Sequence, residues 1–146
     1  MGYNSGFLPI FKVMIEQKLK DNDVKPTAVR INVLSVLMES ATALSAKELE
    51  NRLELVDKVT LYRTLKTFEE KKIIHTIQDG TNELKYAACE EGCECAPKDQ
   101  HVHFHCQRCD ETYCFTEAQI PSGNIPKIFT PSSVSMVFQG ICSRCQ

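Results

Sequence analysis

Two Cys-x-x-Cys pairs, Cys106–Cys109 and Cys142–Cys145, stand 32 residues apart and constrain this chain more than any other feature. Each pair can present two thiolates from one tight turn. Two such turns make the closed tetrahedral sphere of four thiolates that structural zinc prefers. The separation exceeds the short spacing of a zinc ribbon, so the chain must leave the first turn and return to it. The competing reading is two redox pairs, but neither sits in the strand-to-helix context of a thioredoxin-like site.

Just before the first pair, the stretch HVHFHC carries His101, His103 and His105. Read as a strand, it sends these histidines to one face and Cys106 to the other. The histidines therefore define a second location. His101 and His103 are placed to chelate jointly, and His105 has no firm role. Candidate partners are His75, Cys89, Cys93, Cys95 and Cys114. A metal taking His75 and Cys89 together with His101 and His103 would tie the two halves of the chain into one orientation, the two-state coupling that a sensor needs. Three imidazoles and a thiolate form a borderline-soft set that suits tetrahedral Zn²⁺ better than a six-coordinate metal.

All eight cysteines fall from Cys89 onward, so the chain is compositionally two things. We expect domains at residues 1–88 and 89–146. No apolar run approaches the length of a membrane span, and the start of the chain lacks a secretory-signal pattern; the expectation is a cytoplasmic protein without a membrane partner. In a reducing cytosol, paired cysteines favour metal over disulfides. Residues 1–72 carry 12 Lys+Arg against 10 Asp+Glu, and residues 73–146 carry 5 against 9. A first half of net +2 is only weakly basic for a nucleic-acid binder, though a local patch can suffice.

That first half reads as helices followed by a hairpin. Phe7, Leu8, Phe11, Met14, Ile15 and Leu19 recur at helical spacing. Thr27 caps a second helix whose apolar residues are Ile31, Leu34, Val36 (off the main stripe), Leu37 and Met38. Ser45–Glu48 is a capping box opening a third helix through Leu49 and Leu53. Asp57 caps a fourth, to which Val59, Leu61, Leu65 and Phe68 are the apolar contribution. The period then changes to that of strands over Ile73–Gln78 and Leu84–Cys89, separated by the turn DGTNE. Helices followed by a hairpin outline a winged helix, in which one helix enters a major groove and its neighbours touch backbone. On the fourth helix Thr60, Tyr62, Arg63, Thr64 and Lys66 lie off the apolar stripe, where they can serve phosphates, thymine methyls and guanine edges. The same face can equally be an ordinary solvated one.

Together these motifs resemble the ferric uptake regulator family of metal-responsive repressors. The likeness is carried by KPTAVRINVL (Lys25–Leu34), SAKEL (Ser45–Leu49), VTLYRTLKTFEEKKII (Val59–Ile74), KYAAC (Lys85–Cys89), HVHFHCQRC (His101–Cys109) and GICSRC (Gly140–Cys145). It implies an α+β fold: an N-terminal winged-helix DNA-binding domain followed by a small C-terminal α/β dimerisation domain with structural zinc. It implies a homodimer that binds an inverted-repeat operator in double-stranded DNA when metal is loaded, with no small-molecule substrate and no enzymatic activity. Carried over by position, Tyr62 and Arg63 are recognition-helix contacts, Lys25 a minor-groove lysine, and Arg30 a residue near the backbone. Cys106, Cys109, Cys142 and Cys145 match the structural zinc site, and His101 and His103 match two regulatory ligands.

The departures matter too. Ala43 stands where iron- and peroxide-sensing members often place a histidine, and Ala87 follows Tyr86 where they place an acidic ligand. His75 and Cys89 resemble the zinc uptake regulators instead. The expectation is a zinc-responsive repressor with regulatory Zn²⁺ at His75, Cys89, His101 and His103; Fe²⁺ or Mn²⁺, or peroxide sensing, is the alternative. Cys93 and Cys95 in the insert Cys89–Gln100, and Cys114, are additional candidates. Pro121, Pro126 and Pro131 oppose the helix usually found in that part of the dimerisation domain, which we expect to be trimmed. A zinc enzyme would need an open coordination position beside an acid/base, and no H-x-E or H-E-x-x-H occurs. A zinc-ribbon adaptor for protein partners would have no use for the Tyr62–Arg63 pair.

Overall fold

The structure is a computed structural model and describes residues 7–90, 101–119, 125–132 and 134–146. The chain opens with α1 (Phe7–Asp21) and α2 (Ala28–Glu39). After the two-residue strand β1 (Leu44–Ser45) come α3 (Ala46–Arg52) and α4 (Lys58–Glu70). The strands β2 (Ile74–Gln78) and β3 (Leu84–Ala88) follow as a hairpin.

The starts of α2, α3 and α4 lie where the sequence puts them, because each has its own cap. Thr27 accepts from the Arg30 amide, Asp57 from the Thr60 amide, and Ser45 and Glu48 close a full capping box. Each cap contributes about 1 kcal/mol. The helix ends use a second device. Lys72 adopts a left-handed conformation (φ 58°), so that its amide bonds to Glu69 O (3.0 Å) and the Ile73 amide to Phe68 O (2.8 Å). This pairing satisfies the last carbonyls of α4 and turns the chain into β2. Asp23 (φ 58°) ends α1 in the same way.

These elements close around one apolar core that includes Ile15, Leu19, Leu34, Leu61, Phe68 and Ile74. Truncating a side chain as buried as Leu34 to Ala would cost roughly 2–5 kcal/mol. β1, β2 and β3 form an antiparallel sheet in the order β1-β3-β2, with Thr76 opposite Tyr86. Two expected core residues lie outside: Met14 is exposed, and Val59 is 60% exposed. Val59 occupies the first turn of α4 on the face away from Leu61 and Leu65, so helical phase overrides its hydropathy.

A second sheet follows: β4 (His101–Cys106), β5 (Thr112–Gln119) and β6 (Met136–Gly140), in the order β5-β4-β6. β4 pairs antiparallel with β5 and parallel with β6. A parallel partner needs a crossover, which accounts for the long separation between the two cysteine pairs. Among the described residues no helix follows Glu70, and the α+β fold is made by the helices and sheet of the first half together with this second sheet. The insert residues 91–100, with Cys93 and Cys95, lie outside the described residues, as do 120–124 with Pro121. Among the described residues no helix is long and apolar enough to cross a membrane.

Candidate metal centres and nucleic-acid face

Parallel pairing of β4 with β6 brings both Cys-x-x-Cys turns to one end of the second sheet. Cys106 stands opposite Gly140, and the Gln107 amide bonds to Gly140 O (2.8 Å). The four sulfurs of Cys106, Cys109, Cys142 and Cys145 consequently lie within 4.8 Å of one another. Cys109 and Cys142 are 3.9 Å apart. A tetrahedron with metal–sulfur bonds near 2.3 Å has edges of roughly 3.8 Å, so the spacing fits a tetrathiolate metal. The Cys142 amide donates to Cys106 Sγ (3.3 Å) and holds that thiol down at about 6. Cys145, hydrogen-bonded to Cys142 in a group of like thiols, is pushed up to about 12. Four adjacent thiols cannot all ionise on their own, and a cation removes that conflict.

The second cluster draws on both halves of the chain. His75 comes from β2, His101 and His103 from β4, and Cys114 from β5; one donor atom from each lies within 4.8 Å of the others. The ring centroids are 5.1 Å apart for His75–His101, 5.7 Å for His75–His103 and 4.6 Å for His101–His103. Cys114 is present because it is the cross-strand partner of His103, and directly opposed residues on one sheet face have touching side chains.

Burial pushes His75 and His103 down to about 4, helped by the proximity of His101, so both rings are neutral at physiological pH. Burial raises the Cys114 thiol to about 11. His75 Nε2 and both ring nitrogens of His103 are buried with no hydrogen-bond partner. Buried polar atoms in native proteins are nearly always satisfied, and neutral imidazoles facing a thiol are a donor set for a borderline-soft cation. These residues fit a metal.

Cys89, expected as a direct ligand, lies beside His75: its Sγ is 3.5 Å from Nδ1. Of the three cysteines named as additional candidates, Cys114 joins the four-donor group, while Cys93 and Cys95 lie outside the described residues. His105 shares the strand face of His101 and His103, but it meets a different set of groups. Its Nδ1 is 3.1 Å from Thr112 Oγ1 and 3.3 Å from Asp79 Oδ2, and it stands opposite Thr112 in the β4–β5 register. Asp79, Lys85 and Thr112 form a buried polar group that sequence reasoning did not single out. Asp79 reads as an ordinary turn residue, and Lys85 as the solvent-facing member of an alternating strand. In the fold Lys85 is 6% exposed while its apolar neighbour Leu84 is 44% exposed, the reverse of what hydropathy suggests.

On α4, Val59, Tyr62, Arg63 and Lys66 are exposed at the i, i+3, i+4, i+7 spacing of one helical face. Thr64, expected on that face, is buried; its hydroxyl donates to Thr60 O (2.8 Å), so it serves the helix interior and not the exposed face. Thr60 is half-buried and its hydroxyl bonds to the Asp57 cap (2.6 Å). Lys25 is exposed, and its carbonyl accepts from Arg30 Nη1 (2.8 Å), which ties these two residues together ahead of α2.

Comparison with known proteins agrees with this architecture. The model of the ferric uptake regulator family matches residues 21–130. A ferric uptake regulation protein of Helicobacter pylori is 28% identical over 140 residues, covering 90% of this chain and 89% of the relative. Among solved structures, a zinc uptake regulator complexed with zinc and DNA superposes with a TM-score of 0.67 at 20% identity, over 94% of this chain and 93% of that one. The crystal structure of the Vibrio cholerae ferric uptake regulator superposes with a TM-score of 0.60 at 22% identity, over 87% and 98% of the two chains. At these identities the structural likeness is one of fold.

Proposed function

Because this chain belongs to the ferric uptake regulator family of metal-responsive transcription regulators, we propose that it is a zinc-responsive repressor whose regulatory metal is held by His75, His101, His103 and Cys114. The observation that carries this reading is the donor set itself. Three imidazoles and a thiol lie within 4.8 Å, with no carboxylate in the group. Sulfur favours zinc over the harder Fe²⁺ and Mn²⁺. Cys89, 3.5 Å from His75, belongs to the same site as a fifth donor or as the group that orients His75. Cys106, Cys109, Cys142 and Cys145 hold a structural zinc.

His75 belongs to the winged-helix unit and the other three donors to the second sheet, so a cation bound there favours one arrangement of the two. We place the domain boundary between Ala88 and Cys89. When bound, the metal supplies electrostatic attraction that offsets the cost of closing the arrangement. The protein's own residues do the reading: Tyr62, Arg63 and Lys66 on α4 face the major groove, and Lys25 and Arg30 lie where they can meet the backbone or minor groove. Val59 adds an apolar contact suited to a thymine methyl. Phe115, Phe138 and Ile141, exposed on and beside the second sheet, give a second copy of the chain an apolar surface to cover. A symmetric dimer of this kind suits an inverted-repeat operator.

A second reading, iron as the regulatory metal, is favoured by the ferric uptake regulation protein of Helicobacter pylori at 28% identity. The deciding experiment titrates DNA binding anaerobically with buffered free Zn²⁺, Fe²⁺ and Mn²⁺, on a duplex selected from a random pool. Zinc is expected to act at the lowest free concentration, and half-saturation by iron below zinc at cellular levels would transfer the assignment. In the same assay Arg63→Ala should cost roughly 1–3 kcal/mol of DNA affinity with metal content unchanged. Equal affinity for mutant and parent would remove α4 as the reading helix.

A further inference from the structure

The polar group beneath the hairpin joins the winged-helix unit to the second sheet without using any of the proposed metal donors. Asp79 closes β2 and Lys85 lies on β3; Thr112 begins β5. Asp79 Oδ1 accepts from the Thr81 amide (3.0 Å) and hydroxyl (2.6 Å) within the turn. Its Oδ2 accepts from Thr112 Oγ1 (2.6 Å) and lies 3.3 Å from Lys85 Nζ. The ammonium also donates to Thr112 Oγ1 (3.2 Å) and to Asp110 O. The Thr112 hydroxyl thus gives its proton to Asp79 and accepts from Lys85, and His105 Nδ1 lies 3.1 Å from the same oxygen.

Two more bonds cross the same junction. The Ala43 amide donates to Thr112 O (2.9 Å), and Gln139 Nε2 donates to Asp79 O (3.0 Å). The second needs Gly80: at its φ of +92°, a Cβ there would stand 2.2 Å from that same Gln139 nitrogen.

A buried ion pair is poor evidence of net stability, because desolvation offsets much of the attraction. What it does impose is geometry, since any arrangement that separates Thr112 from Asp79 and Lys85 leaves a buried carboxylate and ammonium short of partners. We propose that Thr112, Asp79 and Lys85 are a metal-independent latch that positions the hairpin against the second sheet and thereby sets the metal concentration at which the regulator binds DNA. Thr112 is a positioning residue here; it touches neither metal nor DNA. The inference rests on the reading of His75, His101, His103 and Cys114 as the regulatory site. If the closed arrangement is populated only in part, the apparent affinity of a metal bridging the two units falls by that fraction. Loosening the latch therefore raises the threshold and leaves the ceiling alone, because saturating metal restores closure.

The test uses the full-length protein with its cysteine-bound zinc retained, on a duplex selected from a random pool and under buffered free Zn²⁺. Thr112→Val keeps the shape and deletes the hydroxyl. It should raise the half-maximal Zn²⁺ for DNA binding by about three- to tenfold, the worth of one net hydrogen bond, with unchanged DNA affinity at saturating zinc. Thr112→Ser, which restores the hydroxyl, should return the threshold to within about twofold of the parent. Gln139→Leu should shift it in the same direction by less. Hydrogen exchange at the Ala43 amide should quicken in Thr112→Val before regulatory zinc is added, while amides of the first-half core keep their protection.

An unchanged threshold in Thr112→Val, or a lowered ceiling accompanied by loss of the structural zinc, would overturn the latch. If instead His103→Ala kept zinc-dependent DNA binding, the regulatory-site reading would fail, and Ala43 exchange would still decide whether the junction opens.

Discussion

The Cys106/Cys109/Cys142/Cys145 cluster and the His75/His101/His103/Cys114 cluster each gather four donors within 4.8 Å, yet they are assembled in opposite ways. The first takes its donors from two tight turns, which one strand pairing, β4 with β6, sets side by side. Every donor belongs to one sheet unit. The second takes one donor from the hairpin and three from the other sheet, so it exists only when both units are folded and docked. A cation in the first contributes to folding itself, whereas a cation in the second contributes to the choice between arrangements of units already folded. On the reading proposed above, chemically similar groups would serve stability in one place and response in the other, and what separates the roles is whether the donors share a folding unit.

Breaking the first cluster should have the largest effect. Structural zinc in small domains is worth on the order of 10 kcal/mol of folding free energy. Cys142→Ser should therefore release the metal and unfold the second sheet, seen as lost zinc content and lost amide protection over β4–β6. Retention of both would mean that the tetrathiolate does not hold the unit together.

An intermediate effect is expected from His103→Ala. It should abolish metal-dependent DNA binding and leave cysteine-bound zinc in place, with the loss of stability limited to the packing of one buried ring, because that ring has no hydrogen bond to lose. Should this variant unfold as Cys142→Ser does, the contrast between the clusters collapses.

The smallest and most discriminating comparison lies inside the second cluster. Cys114→Ser removes a thiol from the four-donor group, while Cys89→Ser removes the one beside His75 Nδ1. Losing a group that only orients a ligand costs roughly 10–100-fold in metal affinity, so Cys89→Ser should fall near the lower end of that range and Cys114→Ser beyond its upper end. The reverse order, measured by competition with a zinc chelator, would restore Cys89 as the direct ligand and demote Cys114.

The same division explains what was legible in the chain. Caps at Thr27, Ser45 and Asp57, the four helices, the hairpin and the pairing of the two Cys-x-x-Cys turns are local patterns, and each was readable because its residues meet near neighbours or a second copy of the same motif. The presence of His75, His101 and His103 in one cluster was legible from alternation together with family resemblance. Thr64 and Val59 were misread because the exact helical phase of α4 against the core, and not hydropathy, decides which face each takes.

The choice of Cys114 among the candidate thiols, the partners of His105 and the burial of Lys85 were beyond reach for a different reason. Cys114 meets His103, and Thr112 meets His105, through the antiparallel register of β4 and β5, which follows from the turn between them and carries a shift between His101 and Val102. Lys85 is buried only because Asp79, Thr112 and Asp110 O surround it from two units. Sequence by itself determined the four helices, the hairpin, the strand at His101–Cys106, the paired Cys-x-x-Cys turns and three clustered histidines, because short-range sterics and hydrogen bonding act on adjacent residues. Tertiary structure alone decided which thiol faces those histidines and which polar groups fasten the units, because strand register and domain docking join residues whose separation along the chain carries no signal of their meeting.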